Sequence, residues 1–132
     1  MHLLFAIMLF AAHYIGDFIL QSSEIATTKS YNNKSLIIHG LTLSIPICVA
    51  FILIYSFEYI HMWIDIPLAV IIYTVLHMIQ DRIIWKGLKK KVESGKLIAN
   101  TPKFESVFFT LLGADQMLHM IVLFSITHLF II

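Results

Sequence analysis

The run LIIHGLTLSIPICVAFILIYSF, from Leu36 to Phe57, holds no Asp, Glu, Lys or Arg. A helix rises 1.5 Å per residue, so roughly 20 residues cross a hydrocarbon core of about 30 Å, and this run is long enough to do so. It is apolar on every face, which leaves no side of the helix suited to water. Three further stretches read the same way, at about His2 to Gln21, Ile66 to Trp85 and Phe104 to Ile131. The composition agrees: 59% of the 132 residues are hydrophobic, only 13% are charged, and the mean hydropathy is +0.87. Those values exclude an ordinary water-soluble domain of this size. The sequence therefore predicts an all-α, integral membrane four-helix bundle that forms a single domain over residues 1–132.

Polar residues gather in the connections. The segments 22–35 and 86–103 are rich in polar or basic side chains, and a short turn runs from Glu58 to Asp65. All nine Lys and Arg residues (Lys29, Lys34, Arg82, Lys86, Lys89, Lys90, Lys91, Lys96 and Lys103) fall on one side of the predicted bundle. Basic short loops stay cytoplasmic, so the two loops are expected inside and both termini outside. The lysine cluster is what topology requires and would also attract anionic headgroups. Tyr59 and Trp63 of the outer turn suit an interfacial anchor. The first segment begins MHLLF and carries His13 and Asp17, unlike a cleaved secretory signal, and reads as a retained helix.

Local signals refine the helices. Thr101-Pro102 ahead of the last apolar run, with Glu105 in the first turn, marks a helix start. Pro46 and Pro67 kink or begin helices. Gly16, Gly40 and Gly113 permit close helix approach. Cys48 has no cysteine partner and reads as a small core residue. His2, His61 and His128, near the outer ends, need no partner.

Seven ionisable side chains lie where lipid should exclude them: His13 and Asp17, His39, His77 and Asp81, Asp115 and His119. Each costs on the order of 2.5 to 3.5 kcal/mol in the bilayer centre unless a partner compensates. Three of the four helices carry a His and an Asp four residues apart. That spacing sets both side chains on one face about 5 to 6 Å apart, the device by which the two histidines of HExxH share one zinc. The order is His-Asp on the first and third helices and Asp-His on the fourth. Antiparallel packing then matches His with His and Asp with Asp in depth. Four histidines and three aspartates exceed the needs of one tetrahedral ion and would suit two divalent ions bridged by a carboxylate. A purely structural Asp-His core and a proton pathway are the competing readings. Gln21, one turn beyond Asp17 on the same stripe, either supports a ligand or contacts substrate; Gln80 and Gln116 suit hydrogen bonding within the bundle.

The segments HYIGDFILQ (His13 to Gln21), IIHG (Ile37 to Gly40), HMIQD (His77 to Asp81) and ADQMLH (Ala114 to His119) together resemble a family of small bacterial inner-membrane proteins of unknown function. The resemblance spans nearly the whole chain. It implies a multi-pass protein of the bacterial cytoplasmic (inner) membrane. In that family a lysine often follows the third motif; here Arg82 or Lys86 is the nearest basic residue, so no role of that lysine carries over. The family is also similar in style to small membrane-bound metal-dependent hydrolases, an analogy at the level of fold.

The leading expectation is a metal-dependent hydrolase acting on a lipid-like or membrane-associated substrate. His13, Asp17, His39, His77, Asp81, Asp115 and His119 would hold one or two ions of zinc, manganese or iron. Asp17, Asp81 and Asp115 supply the candidate general base, and Gln21 orients substrate. A divalent-ion transporter or channel is the second reading, disfavoured by the nearly uninterrupted apolar outer halves of the helices. A non-catalytic accessory subunit is the third. Membrane lipid is the expected partner, a small bundle of this kind is compatible with a homodimer, and no nucleic-acid partner is expected.

Overall fold

A computed structural model describes residues 3–58 and 64–131; His2 and the outer-turn residues Tyr59, His61 and Trp63 lie outside them. The described chain is helical throughout its long segments and, among the described residues, holds no strand. Helix α1 runs Leu3–Tyr14 and continues without a break into a π-helical turn at Ile15–Ile19. A short α2 (Ser23–Thr28) leads to α3 (Asn33–Glu58), α4 (Asp65–Glu93) and α5 (Pro102–Phe130).

Three helices, covering Asn33–Phe57, Asp65–Glu93 and Pro102–Phe130, are long and apolar enough to cross a membrane. The first helical stretch, Leu3–Ile19, is shorter than they are and than the expected 2–21. It ends where Ser22 caps α2, its hydroxyl accepting from the Ile25 N–H at 3.3 Å. At α5 the Thr101 hydroxyl accepts from the Phe104 N–H at 3.2 Å with Pro102 in the first turn, so that helix begins where the sequence signals it.

The polar segments are more ordered than their composition suggests. The stretch 22–35 contains α2, and its Lys29, Ser30 and Ser35 are buried. Helix α4 runs to Glu93, well past Trp85 where its apolar run ends, because Leu88 is buried there. The Lys89 ammonium lies 3.3 Å from the centre of the Tyr31 ring and ties this extension to the turn before α3. Gly95, with φ +70°, ends it.

Antiparallel neighbours are fixed by pairs at both ends. The Phe5 and Phe57 rings meet at 6.3 Å at one end of α1 and α3, and Asp17 meets His39 at the other. Trp85 on α4 reaches Asp115 and Phe108 on α5, while His77 stacks on His119. Gly16 lets the π-turn touch α3: an added Cβ would lie 3.0 Å from the Leu43 Cα. Gly40 does the same for α3 against Met78 of α4, whereas Gly113 faces open space and permits no close approach.

The half of the bundle away from the lysine-rich loop is a packed apolar core. Leu9, Leu43, Ile47, Phe51, Ile54, Tyr73 and Leu123 are inaccessible there, and Cys48 packs partly buried against them. Outward, Leu41, Ile45, Ile83 and Phe109 are each more than 60% exposed, a surface that calls for lipid rather than water. Beneath that core, toward the lysine-rich end, lies a polar layer.

Candidate metal centre

Two groups of ligand atoms gather among the described residues, and both are buried. Asp17 (π-turn), His39 (α3), His77 and Asp81 (α4) form the first; Asp81, Asp115 and His119 (α5) form the second. Within each group the ligand atoms lie within 4.8 Å of one another.

Asp81 belongs to both, with one oxygen for each. Its Oδ2 lies 3.0 Å from His39 Nε2 and 3.4 Å from His77 Nε2. Its Oδ1 lies 3.5 Å from His119 Nε2, which in turn sits 3.0 Å from Asp115 Oδ1. Asp17 Oδ1 closes the first group at 3.3 Å from His39 Nε2 and 3.8 Å from His77 Nε2. The Nε2 atoms of His39 and His77 face each other at 3.0 Å. Neither Asp81 oxygen, nor Asp115 Oδ1, nor His119 Nε2 makes an aligned hydrogen bond. These atoms converge on common points more than they pair with each other, the arrangement expected of lone pairs that share a cation.

A ring of neutral groups aims the ligands. Gln116 donates from Nε2 to Asp17 Oδ2 at 2.8 Å while its Oε1 lies 3.0 Å from His13 Nε2. The Tyr73 hydroxyl meets His13 Nδ1 at 2.9 Å. The Trp85 indole donates to Asp115 Oδ2 at 3.1 Å, and Gln80 Oε1 faces His119 Nδ1 at 3.0 Å. Such outer contacts fix ring orientation and tautomer in metal sites. His39 and His77 differ, since each Nδ1 is buried without a hydrogen-bond partner.

Of the seven side chains expected to hold metal, the structure places six in the two groups. His13 stands beside them instead, with both ring nitrogens engaged by Tyr73 and Gln116 and its Nε2 4.0 Å from Asp17. His77 and His119 stack with ring centres 3.8 Å apart, so His does meet His in depth. His128 is exposed and apart.

Lys29 is the unexpected member. Its ammonium lies 2.8 Å from Asp81 Oδ2, 3.2 Å from Asp17 Oδ1 and 3.3 Å from His39 Nε2, and the residue is 5% exposed. Burial pulls its pKa down, but the Asp81 and Asp17 carboxylates more than offset this and hold it above the ordinary lysine value. The charge expected in a solvated loop thus sits among the acids.

A cavity of about 320 Å³ reaches this layer from the lysine-rich end. Its lining combines polar Asp17, Gln21, Lys29, Asp115 and Gln116 with apolar or aromatic Phe18, Trp85, Phe108 and Leu112. Gln21 Oε1 is buried there without a hydrogen-bond partner.

The family described as protein of unknown function (DUF3307) matches residues 4–132. The chain belongs to that family. Its description assigns no activity, and neither curated proteins nor solved structures provide a match. The buried His/Asp layer of this DUF3307 chain could hold a metal ion, and any sharper reading must come from the site itself.

Two site neighbours, Tyr73 and Trp85, are legible in the spacing of α4. Tyr73, His77, Asp81 and Trp85 recur every four residues, a single stripe of α4 on which only the middle pair was singled out. Lys29 carried no such signal, because nothing in SSEIATTKS distinguishes an inward lysine from a solvated one.

Proposed function

We propose that this protein is a metal-dependent hydrolase of the bacterial inner membrane, acting on a lipid-like substrate that enters from the cytoplasmic leaflet. The observation that carries the reading is Asp81, which offers Oδ2 to a four-ligand group and Oδ1 to a three-ligand group. Four protein ligands close a tetrahedral site, whereas three leave a position open, as in catalytic zinc sites. A bound divalent ion would supply Lewis acidity toward an ester or phosphoryl oxygen and lower the pKa of water.

The chain's own residues divide the remaining work. Asp81 and Asp17 neutralise charge in the closed group, and Asp115 and His119 hold the open one. Asp115 also lines the cavity, which puts a carboxylate oxygen at the boundary between ligand layer and substrate space as a candidate general base. Gln21, with its unpaired Oε1, is suited to orient a substrate hydroxyl or amide. Phe18, Trp85, Phe108 and Leu112 would take an acyl chain and exclude water.

A transporter needs a second polar path, and the inaccessible layer of Leu9, Leu43, Ile47, Phe51, Ile54 and Leu123 argues against one. A purely structural Asp-His core is countered by Asp81 Oδ1 and Asp115 Oδ1, which make no aligned hydrogen bond among the described residues, and by the cavity that Asp115 lines.

The test is a screen of short-chain lipid phosphoesters and carboxyl esters with the purified protein in detergent, supplied with manganese or zinc. Hydrolysis abolished by chelator and by Asp115→Asn, with the fold retained, is expected. Absence of turnover with every ester class in metal-loaded, folded protein would overturn the hydrolase reading.

A further inference from the structure

The two groups differ in what fills them. Among the described residues no Lys or Arg pairs with Asp115 or with Asp81 Oδ1 in the three-ligand group, whereas in the four-ligand group Lys29 places its ammonium 2.8, 3.2 and 3.3 Å from three of the four ligand atoms. A divalent ion would need the same point, at about 2.0 to 2.2 Å from those atoms. Ammonium and ion cannot share it, on grounds of both space and like charge.

The lysine has somewhere to go. It follows α2 directly, carries a flexible four-carbon stem, and already forms part of the cavity wall. Among the residues lining that cavity it is the one cation, beside Asp17 and Asp115. With the carboxylates committed to metal, a lysine turned outward would give the cavity a net positive charge in a lining that also holds Phe18, Trp85, Phe108 and Leu112.

We infer that a divalent ion displaces Lys29 from the four-ligand group, and that the displaced ammonium becomes the group that binds a phosphate-type anion of the substrate. The inference rests on the metal reading above and adds to it a substrate class and the residue that selects it. Before loading, Lys29 stands in for the ion and offsets the buried carboxylates; after loading, it recognises the anion.

Opposite signs in one variant make the test. Lys29→Met, in detergent, is expected to bind manganese at least tenfold more tightly than the wild type, because the internal competitor is gone. The manganese-loaded variant is expected to bind hexyl phosphate at least tenfold more weakly. A lysine that merely supports the fold would weaken both, and that result overturns the inference. Inorganic phosphate run in parallel sorts the source: a Lys29-dependent preference for hexyl phosphate points to a lipid headgroup, and equal Lys29-dependent binding to a free anion, either of which supports the assignment.

A second measurement needs no variant. Acetylation of Lys29 by an amine-reactive reagent, followed by mass spectrometry, should rise severalfold when manganese is added to wild-type protein, and this decides the matter if Lys29→Met does not fold. One bound ion with Lys29 still shielded overturns the inference while leaving the hydrolase reading intact. No uptake of manganese by either protein overturns the metal reading and the inference together.

Discussion

At the residue scale, neutral neighbours decide how the charged groups point. Gln116 holds both His13 and Asp17, so Gln116→Leu should lower metal affinity by about 10- to 100-fold, as loss of an outer contact typically does, without unfolding the bundle. Metal titration beside a thermal melt checks this, and an unchanged affinity would show that Asp17 is aimed by something else. Tyr73→Phe removes only the hydroxyl that meets His13 and should cost about 1 kcal/mol of stability. The seven intramembrane His and Asp side chains were legible because lipid makes an ionisable side chain conspicuous, and six of them converge in the two groups. His13 sits apart from the ligand groups since Tyr73 and Gln116 engage both of its nitrogens, a contact that crosses from α1 to α4 and α5 and that no spacing within α1 could reveal.

At the scale of the element, the π-turn at Ile15–Ile19 is the departure from regular helix that most directly shapes the site. The Leu20 N–H reaches back five residues to the Ile15 carbonyl at 2.9 Å, and Gly16 within the turn lies against Leu43. Gly16→Ala would set a methyl 2.6 Å from Leu43 Cδ1 and 3.0 Å from its Cα, and the α3 backbone cannot yield as a side chain can. A loss of about 1 to 3 kcal/mol in stability is expected, together with weaker metal binding as Asp17 shifts. Denaturation of the variant in detergent measures the first and metal titration the second. The apolar runs announced the helices, but not the π-turn, which is a register choice made by packing against α3. Nor did they announce the extension of α4 to Glu93, since lysines and a glutamate prefer helix once Leu88 has a surface to cover.

At the scale of the whole molecule, the bundle is divided into an apolar half and a polar layer that a cavity reaches from the lysine-rich end. Fold class followed from hydropathy alone, because a chain this apolar has few ways to satisfy its backbone in lipid. The same division predicts that liposomes containing the protein show no manganese flux above empty vesicles; measurable transport would mean that the inaccessible layer opens. What hydropathy could not supply was Lys29, whose burial depends on two carboxylates contributed by two other segments.

The proposal turns on whether the buried His/Asp layer, which could hold metal, takes up two ions joined through Asp81. The test is elemental analysis of the protein purified without chelators, beside Asp81→Ala. Two divalent ions per chain are expected in the wild type and neither in the folded variant, because the alanine removes the Asp81 oxygen on which each group depends. No stoichiometric metal in folded wild-type protein, after incubation with zinc, manganese or iron, would contradict it and leave Lys29 and the aspartates as a salt-bridged structural core.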